Sequence, residues 1–145
     1  MYDIERVSKI ISDIERYRRD LKELDIRNVE DLEDKRNLYS LSMILFSIIN
    51  RTIDLADEIV VANNLGMPST YREIFKLLEK NGYIGPGLME KLSNLVFYRN
   101  LLSHEYFDMT EKDVFDVMGK IDTVGQFVGI VKDIVKKEVS NQEKV

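Results

Sequence analysis

With 145 residues, no cysteine and a single histidine, the chain is sized for one hydrophobic core and excludes disulfides, thiolate metal sites and a histidine-built zinc centre. A net charge of −5 argues against a surface that coats nucleic acid as a whole, because affinity for phosphate backbones comes from clustered lysines and arginines. It leaves room for a local basic cleft.

The N-terminus, Met1-Tyr2-Asp3-Ile4-Glu5-Arg6, has no basic start followed by an apolar run, so no secretion signal is expected and the cytoplasm is the default compartment. From Asp3 to about Leu24 the apolar residues Ile4, Val7, Ile11, Ile14, Tyr17, Leu21 and Leu24 alternate by three and four, the period of an amphipathic helix. Arg16, Arg18, Arg19 and Lys22 on this helix are read as solvated surface. Residues 25–31 lose the period and form a connection. A second, long helix is expected from about Leu32 to Asn64, with Leu38, Leu41, Leu45, Ile48, Thr52, Leu55 and Ile59 facing in. Its most apolar window, Leu38 to Ile49, is closed by Arg36 and Arg51 and is too short to span a bilayer. No membrane partner is expected. Asp54 lies among the inward residues or at their edge, and reads equally as a partner for a semi-buried arginine or as a solvated aspartate.

Leu65-Gly66-Met67-Pro68 stops the second helix, and Thr70 with Glu73 three residues on is a capping-box start for a short third one ending near Asn81-Gly82. Pro86 suits the first position of a fourth helix, which runs to between Glu105 and Phe107. Thr110 with Asp113 caps a fifth, whose stripe is Val114, Met118, Ile121, Val124, Val128, Val131 and Val135. The charged runs Glu30 to Arg36 and Lys132 to Glu138 read as solvated faces. No sustained alternation bounded by hairpin turns signals a strand. The expected architecture is all-α, an antiparallel four- to five-helix bundle over residues 1–139, with a polar, frayed tail at 140–145.

The fourth helix carries the residues that do not fit a plain scaffold. With Arg99 at zero on a helical wheel, Leu88, Leu92, Leu95, Tyr98 and Leu102 fall between about 260° and 20°, so Arg99 stands inside an apolar stripe. A guanidinium keeps its charge, and in such a place it needs a carboxylate, a phosphate or a water-filled cleft. Asn100 and His104 fall near 100° and 140°, His104 about 7.5 Å further along the axis. Val96 and Phe97, outside the stripe on the Arg99 and His104 side, are expected to seal a subunit interface. Taken singly these residues have plainer readings: a histidine near a helix C-terminus is more often a cap that complements the dipole, and a lone arginine is more often half of an ion pair.

The pattern Arg99-Asn100-x-x-x-His104-x-Tyr106 near the end of an amphipathic helix resembles the HepT-like branch of the HEPN superfamily. The long helix before it, the Pro68-Ser69-Thr70-Tyr71-Arg72-Glu73 junction and the Gly82-Tyr83-Ile84-Gly85-Pro86 segment are similar to the same family, so the resemblance covers nearly the whole chain. It implies a homodimeric, metal-independent endoribonuclease toxin that pairs about the motif helix and uses no cofactor. The expected partners are an RNA substrate and a small nucleotidyltransferase antitoxin. By position, Arg99 and His104 would be catalytic, Asn100 supporting, and Tyr106 the tyrosine that the antitoxin adenylylates.

The side chains suit that chemistry. Histidine titrates near neutrality and can move the proton of a ribose 2′-hydroxyl as it attacks the adjacent phosphate. Arginine offers paired charge-assisted hydrogen bonds to the phosphorane. Cleavage with both a base and an acid wants two such groups, and a homodimer supplies two histidines. Two rivals share the scaffold: a helical dimer that docks a nucleotidyltransferase without turnover, and a regulatory bundle in which Arg99 grips a nucleotide phosphate.

Overall fold

Asp3 opens the first helix by accepting the Arg6 amide at 3.0 Å, and Asp25 closes it in the left-handed region at φ 52°. That helix, α1, spans Ile4–Leu24. The computed structural model describes residues 1–104 and 109–143, and of Ser103 and His104 the backbone alone. The remaining helices are α2 (Lys35–Ala62), α3 (Tyr71–Lys80), α4 (Pro86–His104), α5 (Glu111–Gly119) and α6 (Asp122–Glu143). Among the described residues there is no strand, as the sequence predicts, and no helix is long and apolar enough to cross a membrane.

α2 is the central element, packed against α1, α3, α4 and α5. Its inward stripe is broader than expected, because Ile49, Ile53, Ala56 and Val60 are buried beside Leu41, Leu45, Ile48, Thr52, Leu55 and Ile59. A helix surrounded on several sides needs apolar residues over most of its circumference. Val7, Ile10 and Ile14 of α1 join this core, and Phe75 of α3 meets Phe127 of α6 edge to face at 6.2 Å. Each fully buried aliphatic side chain contributes about 1.5–3 kcal/mol.

Three boundaries differ from the sequence reading. Leu32 belongs to a 3-10 turn, Val29–Glu33, where Asn28 and Asp31 exchange side-chain to backbone hydrogen bonds at 3.2 and 3.3 Å. α2 then begins at Lys35, capped by Asp34. The expected fifth helix is two helices. At Lys120 and Ile121 the amides bond to the carbonyls of Val117 and Met118, three residues back instead of four, and this tighter turn redirects the chain while Ile121 and Val124 stay buried. α6 also continues past Ser140 to Glu143.

The capping of α3 departs in detail. Thr70 accepts the Glu73 amide at 3.2 Å, but the Glu73 carboxylate reaches back to the amide and hydroxyl of Ser69, at 2.8 and 3.0 Å. These bonds hold the Glu73 carboxyl below its usual range. At α5 the box formed by Thr110 and Asp113 is reciprocal, with bonds of 3.0 and 3.1 Å.

Candidate functional site

Pro86 starts α4, where its missing amide hydrogen leaves no bond unmade. Leu92, Leu95 and Leu102 are buried and Leu88 and Tyr98 partly so. The far end of the helix is therefore fixed against the core before its polar residues are considered. Arg99 sits half-buried within this stripe. α2 and α4 run antiparallel here: Asn50 meets Arg99, while Val60, ten residues on, shares a groove with Ser93 and Val96.

The Arg99 guanidinium is held on four sides by uncharged groups. Its Nε donates to Asn50 Oδ1 at 2.9 Å and its Nη1 to Asn100 Oδ1 at 3.1 Å. The rings of Phe46 and Tyr71 lie 5.6 and 5.0 Å from its central carbon, within cation–π range. Among the described residues no carboxylate pairs with it. Asp54, one candidate partner from the sequence, bonds to Arg51 at 3.2 Å. Arg51 also meets Asp13 of α1 at 2.8 Å.

A groove of about 780 Å³ opens beside this cradle, between α2, the connection at 66–70, the first turn of α3 and α4. Tyr71 and Asn100, two of the four groups that hold Arg99, stand on its wall. Asp57 and Arg72 also face it. Phe97 lines the groove and is 65% exposed, whereas Val96 is buried at 6%. The expectation that both seal an interface fails for Val96, which packs within its own chain. Tyr39 and Met43 are exposed on α2 and fall within about 20° of Asn50 on its wheel, extending an apolar strip past Phe46.

α4 ends at His104, which places it five residues beyond Arg99 on one helix. The side chain of His104, and Tyr106 altogether, lie outside the described residues. Sequence reasoning missed Asn50, Phe46 and Tyr71 as neighbours of Arg99. The basic residues of α1 do not form one patch: Arg16 turns to Asp13 and the Tyr17 ring, and Arg18 to Asp122. Among the described residues no three His, Asp or Glu side chains converge as metal ligands.

Comparisons with known proteins agree with this architecture. A family model described as "Ribonuclease HepT-like" matches residues 7–138. The mRNA nuclease HepT of Shewanella oneidensis is 31% identical over 81 residues, covering 55% of this chain. That alignment spans 61% of the relative's own length. The solved structure of a tri-AMPylated HEPN toxin from Shewanella oneidensis, in complex with its MNT antitoxin, superposes with a TM-score of 0.82 at 25% identity, over 92% of this chain and 99% of that one. The cytosolic protein YutE of Bacillus subtilis, of unknown function, gives a TM-score of 0.81 at 17% identity over 95% of both chains, a likeness of fold.

Proposed function

The chain belongs to the HepT-like ribonuclease family, and from that premise we propose that it is a metal-independent, cytoplasmic endoribonuclease, the toxin of a pair whose antitoxin is a small nucleotidyltransferase. The observation that carries the reading is the cradle of Arg99: a half-buried guanidinium gripped by two amide oxygens and two rings, five residues before the histidine that ends its helix. Such a cation is oriented, and no carboxylate among the described residues neutralises it. An anionic ligand completes it.

In the proposed reaction His104 takes the proton of a ribose 2′-hydroxyl, whose oxygen attacks the adjacent phosphorus. Arg99 binds the non-bridging oxygens as charge builds on the phosphorane. The bond to the 5′-oxygen breaks, and a second protonated histidine, from the other subunit of a homodimer, gives that oxygen its proton. The products are a 2′,3′-cyclic phosphate and a 5′-hydroxyl. Asn100 supports Arg99 through the hydrogen bond at 3.1 Å. The exposed Phe97 of α4 and Tyr39 and Met43 of α2 support the dimer, being apolar surface on the two helices that hold Arg99.

Tyr106 is the proposed point of control. Transfer of AMP from ATP to its phenol oxygen, with release of pyrophosphate, adds bulk and negative charge two residues beyond His104. The phosphate it carries competes with RNA for Arg99. The AMPylated relative in complex with its antitoxin supports this reading. Incubating the purified protein with RNA, beside Arg99→Ala and His104→Ala at equal helicity, tests the assignment. Cleavage by the wild type and its loss in both variants is the expected result. Equal cleavage by all three overturns it.

A further inference from the structure

Two arginines meet adjacent residues of α2 or belong to them, and they are treated in opposite ways. Arg51, which ties α2 to α1, is neutralised by Asp13 at 2.8 Å and Asp54 at 3.2 Å. Arg99 receives from Asn50, one residue earlier, an amide oxygen at 2.9 Å and from Phe46, one turn back on the same face, an aromatic ring. A carboxylate at position 50 would fill the same space, accept the same hydrogen bond and hold the guanidinium more firmly. It would also cancel the charge.

We infer that Asn50 is a positioning residue of the site, which orients Arg99 through a neutral acceptor so that the guanidinium keeps its whole charge for the RNA phosphate. The inference rests on Arg99 being the phosphate-binding group, as proposed above. Its geometry is specific. With Nε engaged by Asn50 and one hydrogen of Nη1 by Asn100, three donors remain, one on Nη1 and two on Nη2, enough to grip two phosphate oxygens. Asn50 is itself half-buried and its backbone is fixed by the buried Ile48, Ile49 and Ile53. The acceptor is thus rigid before substrate arrives, and the arginine does not have to be ordered by the reaction.

The test compares Asn50→Asp, Asn50→Ala and Arg99→Ala in the full-length protein. An oligoribonucleotide gives kcat and KM, and the same oligonucleotide with 2′-deoxyriboses, which lacks the attacking hydroxyl, gives binding as a function of salt. Asn50→Asp should melt at or above the wild-type temperature yet lose about tenfold or more in kcat/KM. Its slope of log affinity against log salt should become shallower by about 0.7, the value of one phosphate contact on a single strand. Asn50→Ala should lower kcat more than it raises KM and keep most of the slope, since charge remains and orientation is lost. If Arg99→Ala is inactive while Asn50→Asp keeps wild-type cleavage and salt slope, the inference is overturned and the site assignment stands. If Arg99→Ala cleaves like the wild type, the site assignment fails and the inference with it.

Discussion

A guanidinium between two rings, hydrogen-bonded to amides, loses most of its rotational freedom and none of its charge, which is the state an arginine needs to stabilise a phosphorane. Substituting lysine keeps the charge and abandons the planar fork. Arg99→Lys should therefore cut the cleavage rate by roughly tenfold or more at equal helicity, and a wild-type rate in that variant would mean a point charge suffices. His104→Ala should cost roughly 10²-fold, the scale of a lost acid-base group, as read from single-turnover rates. Tyr106→Phe should cleave RNA yet resist adenylylation by the partner enzyme, which intact-mass measurement after co-expression decides. An adduct on that variant would move the switch to another residue. That Arg99 and Asn100 stand together near the end of α4 was legible in the sequence because their relation is local to one helix, where spacing gives angle and height; the His104 side chain lies outside the described residues. Asn50 was not legible, since it meets Arg99 across 49 residues and no short period reports that contact. Of the two readings open for Asp54, it is the ion pair that forms, with Arg51 a turn away on its own helix.

The starts of α3, α4 and α5 were legible for the same reason of locality: Thr70 and Thr110 accept amides of their own first turns, and Pro86 opens α4 as its first residue. The break between α5 and α6 was hidden because Met118, Ile121 and Val124, each three residues apart, keep their period through a turn of three-residue bonds. The stripe continues although the helix does not. Asp13 was hidden as well, being a buried aspartate on α1, 4% exposed, that meets Lys9 at 2.9 Å and Arg51 at 2.8 Å. The Lys9 hydrogen bond, with help from Arg51, pulls its carboxyl below the usual range. A carboxylate depressed in the folded state adds stability above its unfolded value, about 3.9, and loses it as pH falls from there toward the folded value. Asp13→Asn should destabilise at pH 7 by roughly 2 kcal/mol. That is less than the about 3–5 kcal/mol of a fully buried broken pair, because Arg51 keeps Asp54. Denaturant melts should show the gap between variant and wild type closing below about pH 4. A gap constant to pH 2 would show that the Asp13 charge contributes nothing.

At the scale of the molecule, one histidine per chain and the exposed Phe97, Tyr39 and Met43 are the grounds for the proposed second copy. Light scattering at micromolar concentration should give twice the chain mass, and Phe97→Asp should shift it toward the monomer with cleavage falling alongside. A monomeric wild type that still cleaves would remove the two-histidine scheme. The all-helical class and the succession of the first four helices were legible from periodicity, whereas the way α2 brings Phe46 and Asn50 to α4 is a property of packing that no single helix encodes. The most direct measurement of the central claim is cleavage of a defined oligoribonucleotide in excess EDTA, with the product ends identified by mass. Undiminished cleavage, with 2′,3′-cyclic phosphate or its 3′-phosphate hydrolysis product on one fragment and a 5′-hydroxyl on the other, is the predicted result. Activity that vanishes with EDTA and returns with magnesium or manganese would contradict a histidine and arginine mechanism.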